Sequence, residues 1–113
     1  MQNSKMRELM EEIVLEIFKT HASGQKEYAD DEDNVFANFE RISYQMNVER
    51  EFVLWVYLMK HIDGIASYIN GHESQREDVR GRITDAIVYL MLLWGMIESK
   101  EYPTQQSLGD ETI

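Results

Sequence analysis

From Val48 to Asn70 the chain is apolar around most of a helical circumference, and that restricts what it can become. Phe52, Trp55, Met59, Ile62, Ala66 and Ile69 form one stripe, and Leu54, Tyr57, Leu58, Ile65 and Tyr68 form another beside it. A surface helix wets one broad side, so a segment carrying both stripes belongs at the centre of a bundle or inside an oligomer. Its neighbours share the helical period. Met6, Leu9, Met10, Ile13, Val14, Ile17, Phe18 and His21 predict an amphipathic helix from Ser4 to about Ser23, capped by Asn3 or Ser4 and ended by Ser23-Gly24. After a loop from Gly24 to Asp33, Asn34 is placed to cap a short helix with Val35, Phe36, Phe39, Ile42 and Met46 inward. Asn47 is the expected cap of the Val48–Asn70 helix and Gly71 its end.

The last helix is expected to open on the capping box Ser74-Gln75-Arg76-Glu77 and run to about Lys100. Val79, Ile83, Ala86, Ile87, Leu90, Trp94 and Ile97 are its expected core stripe, with Leu92, Leu93 and Met96 widening the apolar surface. Pro103 stops it, and the polar residues that follow read as a mobile tail. No strand-like alternation appears. The expected fold is all-α: one domain over residues 1–100, a bundle of three long helices and one short one, with a tail at 101–113. Two helices with more apolar surface than one small bundle needs point to a homodimer.

The formal net charge of −10 argues against a groove for nucleic-acid phosphates, which needs a basic patch. It leaves two kinds of partner: a nucleotide whose phosphates are bridged to acids by a divalent cation, or a basic protein. The longest apolar run, Phe52 to Met59, is broken by Lys60-His61, so no membrane span is expected. The N-terminal residues lack a signal-peptide apolar segment, and cysteine is absent, which fits a reducing, cytoplasmic setting.

On the fourth helix Asp78, Arg82, Asp85 and Tyr89 follow at spacings of 4, 3 and 4 and share one side. A half-buried carboxylate is costly alone, so Asp85 must have a partner. Asp78 and Asp85 suit a hard cation such as Mg2+, with Arg82 facing a phosphate; the alternative is an ion-pair ladder running Asp78 to Arg82 to Asp85. Lys60 and Asp63 stand one turn apart on the third helix, where Lys60 can face phosphate oxygens and Asp63 can fix it or bind metal. His61 reads as a hydrogen-bonded packing residue. On the first helix Glu8, Glu11 and Glu12 fall opposite the core face and Glu16 nearer its edge. Most of this is a solvated face, yet Glu12 and Glu16, one turn apart, can reach a cation if another helix brings Asp85 near. The run from Glu27 to Asp33 holds five acids in seven positions. It is no EF-hand, because Val35 and Phe36 stand where a ligand and the turn glycine belong. No nucleophile motif, phosphate-cradling glycine loop or histidine metal spacing occurs, so any hydrolysis must work through carboxylates and a metal-activated water.

Lys26-Glu27-Tyr28-Ala29, Asn38-Phe39-Glu40-Arg41-Ile42, Leu58-Met59-Lys60-His61-Ile62 and the segment Arg82 to Tyr89, taken in order, carry a likeness across residues 7 to 98. The pattern resembles small phage nucleotide-modification-associated domain proteins, similar in plan to MazG-like all-α nucleoside triphosphate pyrophosphohydrolases. The resemblance implies phage nucleotide metabolism or a DNA-modification context in an infected or prophage-carrying bacterium, a helical dimer or higher oligomer, and Mg2+ where activity exists. It implies a site lined by Lys26, Tyr28, Asn38, Lys60 and Asp85, with Tyr89 behind them. Ala29 stands where the pattern has glycine, Glu8-x-x-Glu11 and Glu12-x-x-x-Glu16 only approximate its first acidic motif, and Arg82-x-x-Asp85 lacks the leading acid of its second. Two functions therefore stand. One is a nucleotide-handling enzyme with Asp85 and Lys60 as catalytic residues. The other is a non-catalytic acidic module that sequesters nucleotide or inhibits a host or defence protein.

Overall fold

The computed structural model describes residues 1–28, 34–72 and 78–101, with residues 23–28 and 101 described by backbone alone. These residues form four α-helices and, among them, no strand: α1 (Asn3–Tyr28), α2 (Ala37–Met46), α3 (Arg50–Ile69) and α4 (Val79–Glu101). Three are long and one is short, as the periodicity predicts. No helix among the described residues is long and apolar enough to cross a membrane. The expected box at Ser74–Glu77 and the tail after Pro103 lie outside the described residues.

Helix boundaries differ from expectation where a polar residue has two possible uses. α1 runs through Ser23-Gly24 to Tyr28, because one interior glycine costs a helix only about 1 kcal/mol relative to alanine. Asn34 precedes α2 by a full turn: its Oδ1 accepts the Phe36 N–H at 3.1 Å, and its Nδ2 donates to Glu40 Oε1 at 2.6 Å. Asn47 ends α2 instead of starting α3. Its backbone is left-handed at φ 56°, and the N–H groups of Asn47 and Val48 both turn back to the Ser43 carbonyl. Glu49, in extended backbone, then leads into α3, and Gly71 at φ 92° follows its end.

α3 and α4 form the main pair, α2 packs on α3, and α1 packs on α4. The core lies among α2, α3 and α4: Phe39, Val53, Leu54 and Met96, flanked by Phe36, Ile42, Tyr57, Tyr89, Leu92 and Leu93. One polar node ties this end together. Arg50 Nη1 meets Glu40 Oε2 at 3.1 Å, its Nη2 donates to Ser99 Oγ at 3.1 Å, and its guanidinium lies 4.8 Å over the Phe36 ring.

The helices turn inward on faces that sequence spacing does not select. On α3 Leu54 and Leu58 of the second stripe are buried, with Tyr57 and Ile65 half-buried and Tyr68 exposed, while Phe52, Trp55, Ile62 and Ile69 face out. On α4 Ala86 and Met96 are buried and Ile83, Leu90, Trp94 and Ile97 are exposed, so the core side is the one shared by Asp85, Tyr89 and Leu92. Met46 is exposed on α2. α1 buries only Ile17 among its described side chains, because it touches α4 along its second half while Met6, Leu9, Met10, Val14 and Phe18 remain in solvent. A helix apolar on two sides satisfies its pattern with either side inward.

Candidate functional site

Behind the site stands a block of rings. Tyr57 of α3 and Tyr89 of α4 stack nearly parallel, 8° apart with centroids at 6.2 Å. Phe39 of α2 meets both edge-on, at 6.0 and 6.2 Å. His61 also stacks on Tyr89, with centroids at 5.5 Å. Offset and edge-on pairs of this kind each contribute about 0.5–1.5 kcal/mol beyond the area they bury. The helical period puts Tyr89 one turn after Asp85, so the block that fixes Tyr89 also fixes the turn bearing the carboxylate.

His61 is 8% exposed, and its Nδ1 has no hydrogen-bond partner among the described residues. Asp85 Oδ2 lies 3.8 Å from that nitrogen, too far for a hydrogen bond. The half-buried carboxylate thus stands beside an imidazole from a different helix, a pairing that spacing along α4 cannot reveal. The packing role expected of His61 holds for its ring. Its nitrogen is the feature the sequence reading missed.

Arg82, half-buried, crosses α3 at Gly64. A Cβ at Gly64 would stand 2.5 Å from Arg82 Cδ and 2.6 Å from its Nε and Nη1, so the glycine provides the groove in which the arginine lies. This fixes the guanidinium's stem one turn before Asp85.

Where α1 crosses α4, a cleft of about 410 Å³ is lined by Glu16 and Thr20 from α1 and by Asp78, Arg80, Gly81, Thr84 and Asp85 from α4. Three of the expected metal ligands, Glu16, Asp78 and Asp85, therefore share one cleft. Asp78 has other work there: its Oδ1 accepts the Arg80 N–H at 2.8 Å, which makes it the N-cap of α4. Arg80 Nη1 sits 3.3 Å from both of its oxygens, so Arg80 is an ion-pair partner of Asp78. The backbone hydrogen bond, followed by the charge of Arg80, holds the Asp78 carboxyl below the usual carboxylate range. Among the described residues no three His, Asp or Glu side chains converge as a cation cage.

The remaining expected residues are dispersed. Glu12 is exposed on α1 and does not line the cleft. Lys60 and Asp63 are exposed on α3, and neither lines it. Asn38, half-buried on α2, accepts a 2.8 Å hydrogen bond from Arg41 Nη2. The side chains of Lys26 and Tyr28, and the whole acidic run Asp30 to Asp33, lie outside the described residues. Comparison with protein-family models, with curated proteins and with solved structures finds no match.

Proposed function

We propose that the chain binds nucleoside triphosphates together with Mg2+, acts as a homodimer, and releases pyrophosphate from its ligand. The observation that carries this reading is the shared cleft, where Glu16 of α1 and Asp85 of α4 bring carboxylates from two helices to one space. An all-oxygen donor set suits a hard cation. Mg2+ is commonly held by one or two carboxylates plus substrate phosphates instead of a protein cage, which matches two available acids and no group of three. Glu16 and Asp85 would hold the ion, and when bound it neutralises phosphate charge and makes water a better nucleophile. The chain's own part is to fix Asp85 through the Tyr89 ring block and to offer positive charge from Arg82 on the same helix. Hydrolysis adds water at the α-phosphorus and breaks the bond to the β-phosphate bridging oxygen, yielding nucleoside monophosphate and pyrophosphate. Lys60 and Lys26 enter this reading through the family resemblance.

A second reading, nucleotide sequestration without turnover, is favoured by one observation: the Asp78 carboxylate is engaged in capping α4, which removes a third ligand. The test is pyrophosphate and phosphate release from a panel of NTPs and dNTPs with Mg2+ or Mn2+, run beside Asp85→Asn. We expect release from the parent chain and none from a variant that keeps its helical circular dichroism. Binding without release selects the sequestering form. Absence of both binding and release overturns the nucleotide reading and moves the −10 chain to the acidic-module class, tested by capture of basic host proteins. An Asp85→Asn chain that unfolds makes Asp85 a structural residue.

A further inference from the structure

The first twelve residues of the chain are exposed at every position, although most of them are helical and carry Met6, Leu9 and Met10. Isolated helices of this length are marginal in water. α1 nevertheless continues outward from its contact with α4, and its apolar side there meets no other helix among the described residues. Asn3, Met6, Arg7, Met10, Glu11 and Val14 line a shallow groove along that side. The row Met6, Met10, Val14 supplies the apolar floor, and the row Asn3, Arg7, Glu11 supplies one wall.

The wall identifies the occupant. Arg7 and Glu11 are one turn apart, opposite in charge, and neither has an ion-pair partner among the described residues. When a helix packs antiparallel on its own copy, each flanking row faces the same row of the partner in reverse. Arg7 of each copy then meets Glu11 of the other, twice over, about a twofold axis near Leu9. A parallel pair would set Arg7 level with Arg7 and Glu11 level with Glu11. Antiparallel pairing also opposes the two helix dipoles, which is the favourable arrangement.

We propose that the N-terminal half of α1 is a homodimer interface in which two copies pack antiparallel along the Met6, Met10, Val14 stripe, locked by reciprocal Arg7–Glu11 ion pairs. This rests on the homodimer reading above and specifies its surface and orientation. It leaves the α1–α4 cleft uncovered on each copy, since Glu16 lies beyond the paired segment.

The test is sedimentation equilibrium of the full chain with four variants. The expected mass is twice 13.4 kDa for the parent and 13.4 kDa for Met10→Asp, with unchanged helical circular dichroism because Met10 is an exposed residue. Arg7→Glu and Glu11→Arg should each weaken self-association at least tenfold, and an equimolar mixture of the two should recover the doubled mass, since both cross-pairs become attractive. The chain has no cysteine, so single substitutions report orientation. Met10→Cys should form an intermolecular disulfide on oxidation. Asn3→Cys should not, because the two positions stand about 18 Å apart along the axis in the antiparallel pair. A monomeric parent overturns the homodimer reading and this interface together. A dimer that survives Met10→Asp but dissociates in Trp94→Asp overturns this interface alone. Ready cross-linking of Asn3→Cys overturns the antiparallel orientation.

Discussion

At the scale of single residues, His61 presents an apparent excess of cost over benefit. Its Nδ1 is buried without a hydrogen-bond partner among the described residues, and a buried unsatisfied polar atom costs about 1–3 kcal/mol. An apolar ring of similar shape would keep the stack on Tyr89 at 5.5 Å without that cost. His61→Phe should therefore leave stability unchanged or raise it by about 1 kcal/mol, while weakening nucleotide binding by removing the imidazole beside Asp85. Chemical denaturation and nucleotide titration of the same preparation check both halves. A loss of more than about 1 kcal/mol would mean that the nitrogen contributes to folding, and the functional account of His61 would fail. The need for a partner at Asp85 was legible, because a carboxylate on a side that continues into Leu92 and Met96 has to be matched. That it stands beside His61 was not legible, because the ring comes from α3 and spacing along α4 carries no information about a neighbouring helix.

At the scale of the elements, two polar residues hold helix ends and junctions. Asp78 caps α4, and its carboxyl is lowered by the Arg80 hydrogen bond and charge. A group with a depressed folded value contributes stability above its unfolded value and loses it as acid protonates the folded form. The parent should thus be more stable than Asp78→Asn at neutral pH, and the gap should close as the pH falls through and below the ordinary carboxylate range. Thermal midpoints of the pair across pH check this; a gap that widens in acid contradicts the cap. Arg50 joins α2, α3 and α4, and truncation removes the donor to Glu40 Oε2 and to Ser99 Oγ. Arg50→Ala should cost about 1–3 kcal/mol, and a double-mutant cycle with Glu40→Gln should show coupling between the two. Helix existence was legible from the period, whereas boundaries failed at Gly24 and Asn47. Asparagine serves a helix start with its side chain and a helix end with its left-handed backbone, and composition does not say which.

For the whole molecule, the apolar excess on α3 and α4 was read as a hint of assembly, but the inward faces were not legible. With Leu54 buried and Trp55 exposed one position away, the choice was made by packing among helices and not by local pattern. Charge sets the final expectation. A chain of net charge −10 repels a polyanionic triphosphate, and two carboxylates in an open cleft hold Mg2+ weakly by themselves. Each ligand should therefore bind poorly alone and the two together well, because the ion joins like charges and the phosphates complete its coordination. Binding to the native state stabilises by about 2.7 kcal/mol when free ligand is a hundredfold above Kd. For a domain of this size that is a rise of roughly 10 °C in Tm. We expect that rise with nucleoside triphosphate and Mg2+ together, a small fraction of it with either alone, and none in Asp85→Asn. The shift should shrink with added salt, as attraction at a partly exposed site is screened. A full shift with nucleotide in the presence of EDTA would show that phosphate is met by the arginines without a cation, and Asp85 would then be an obstacle to the ligand instead of its anchor.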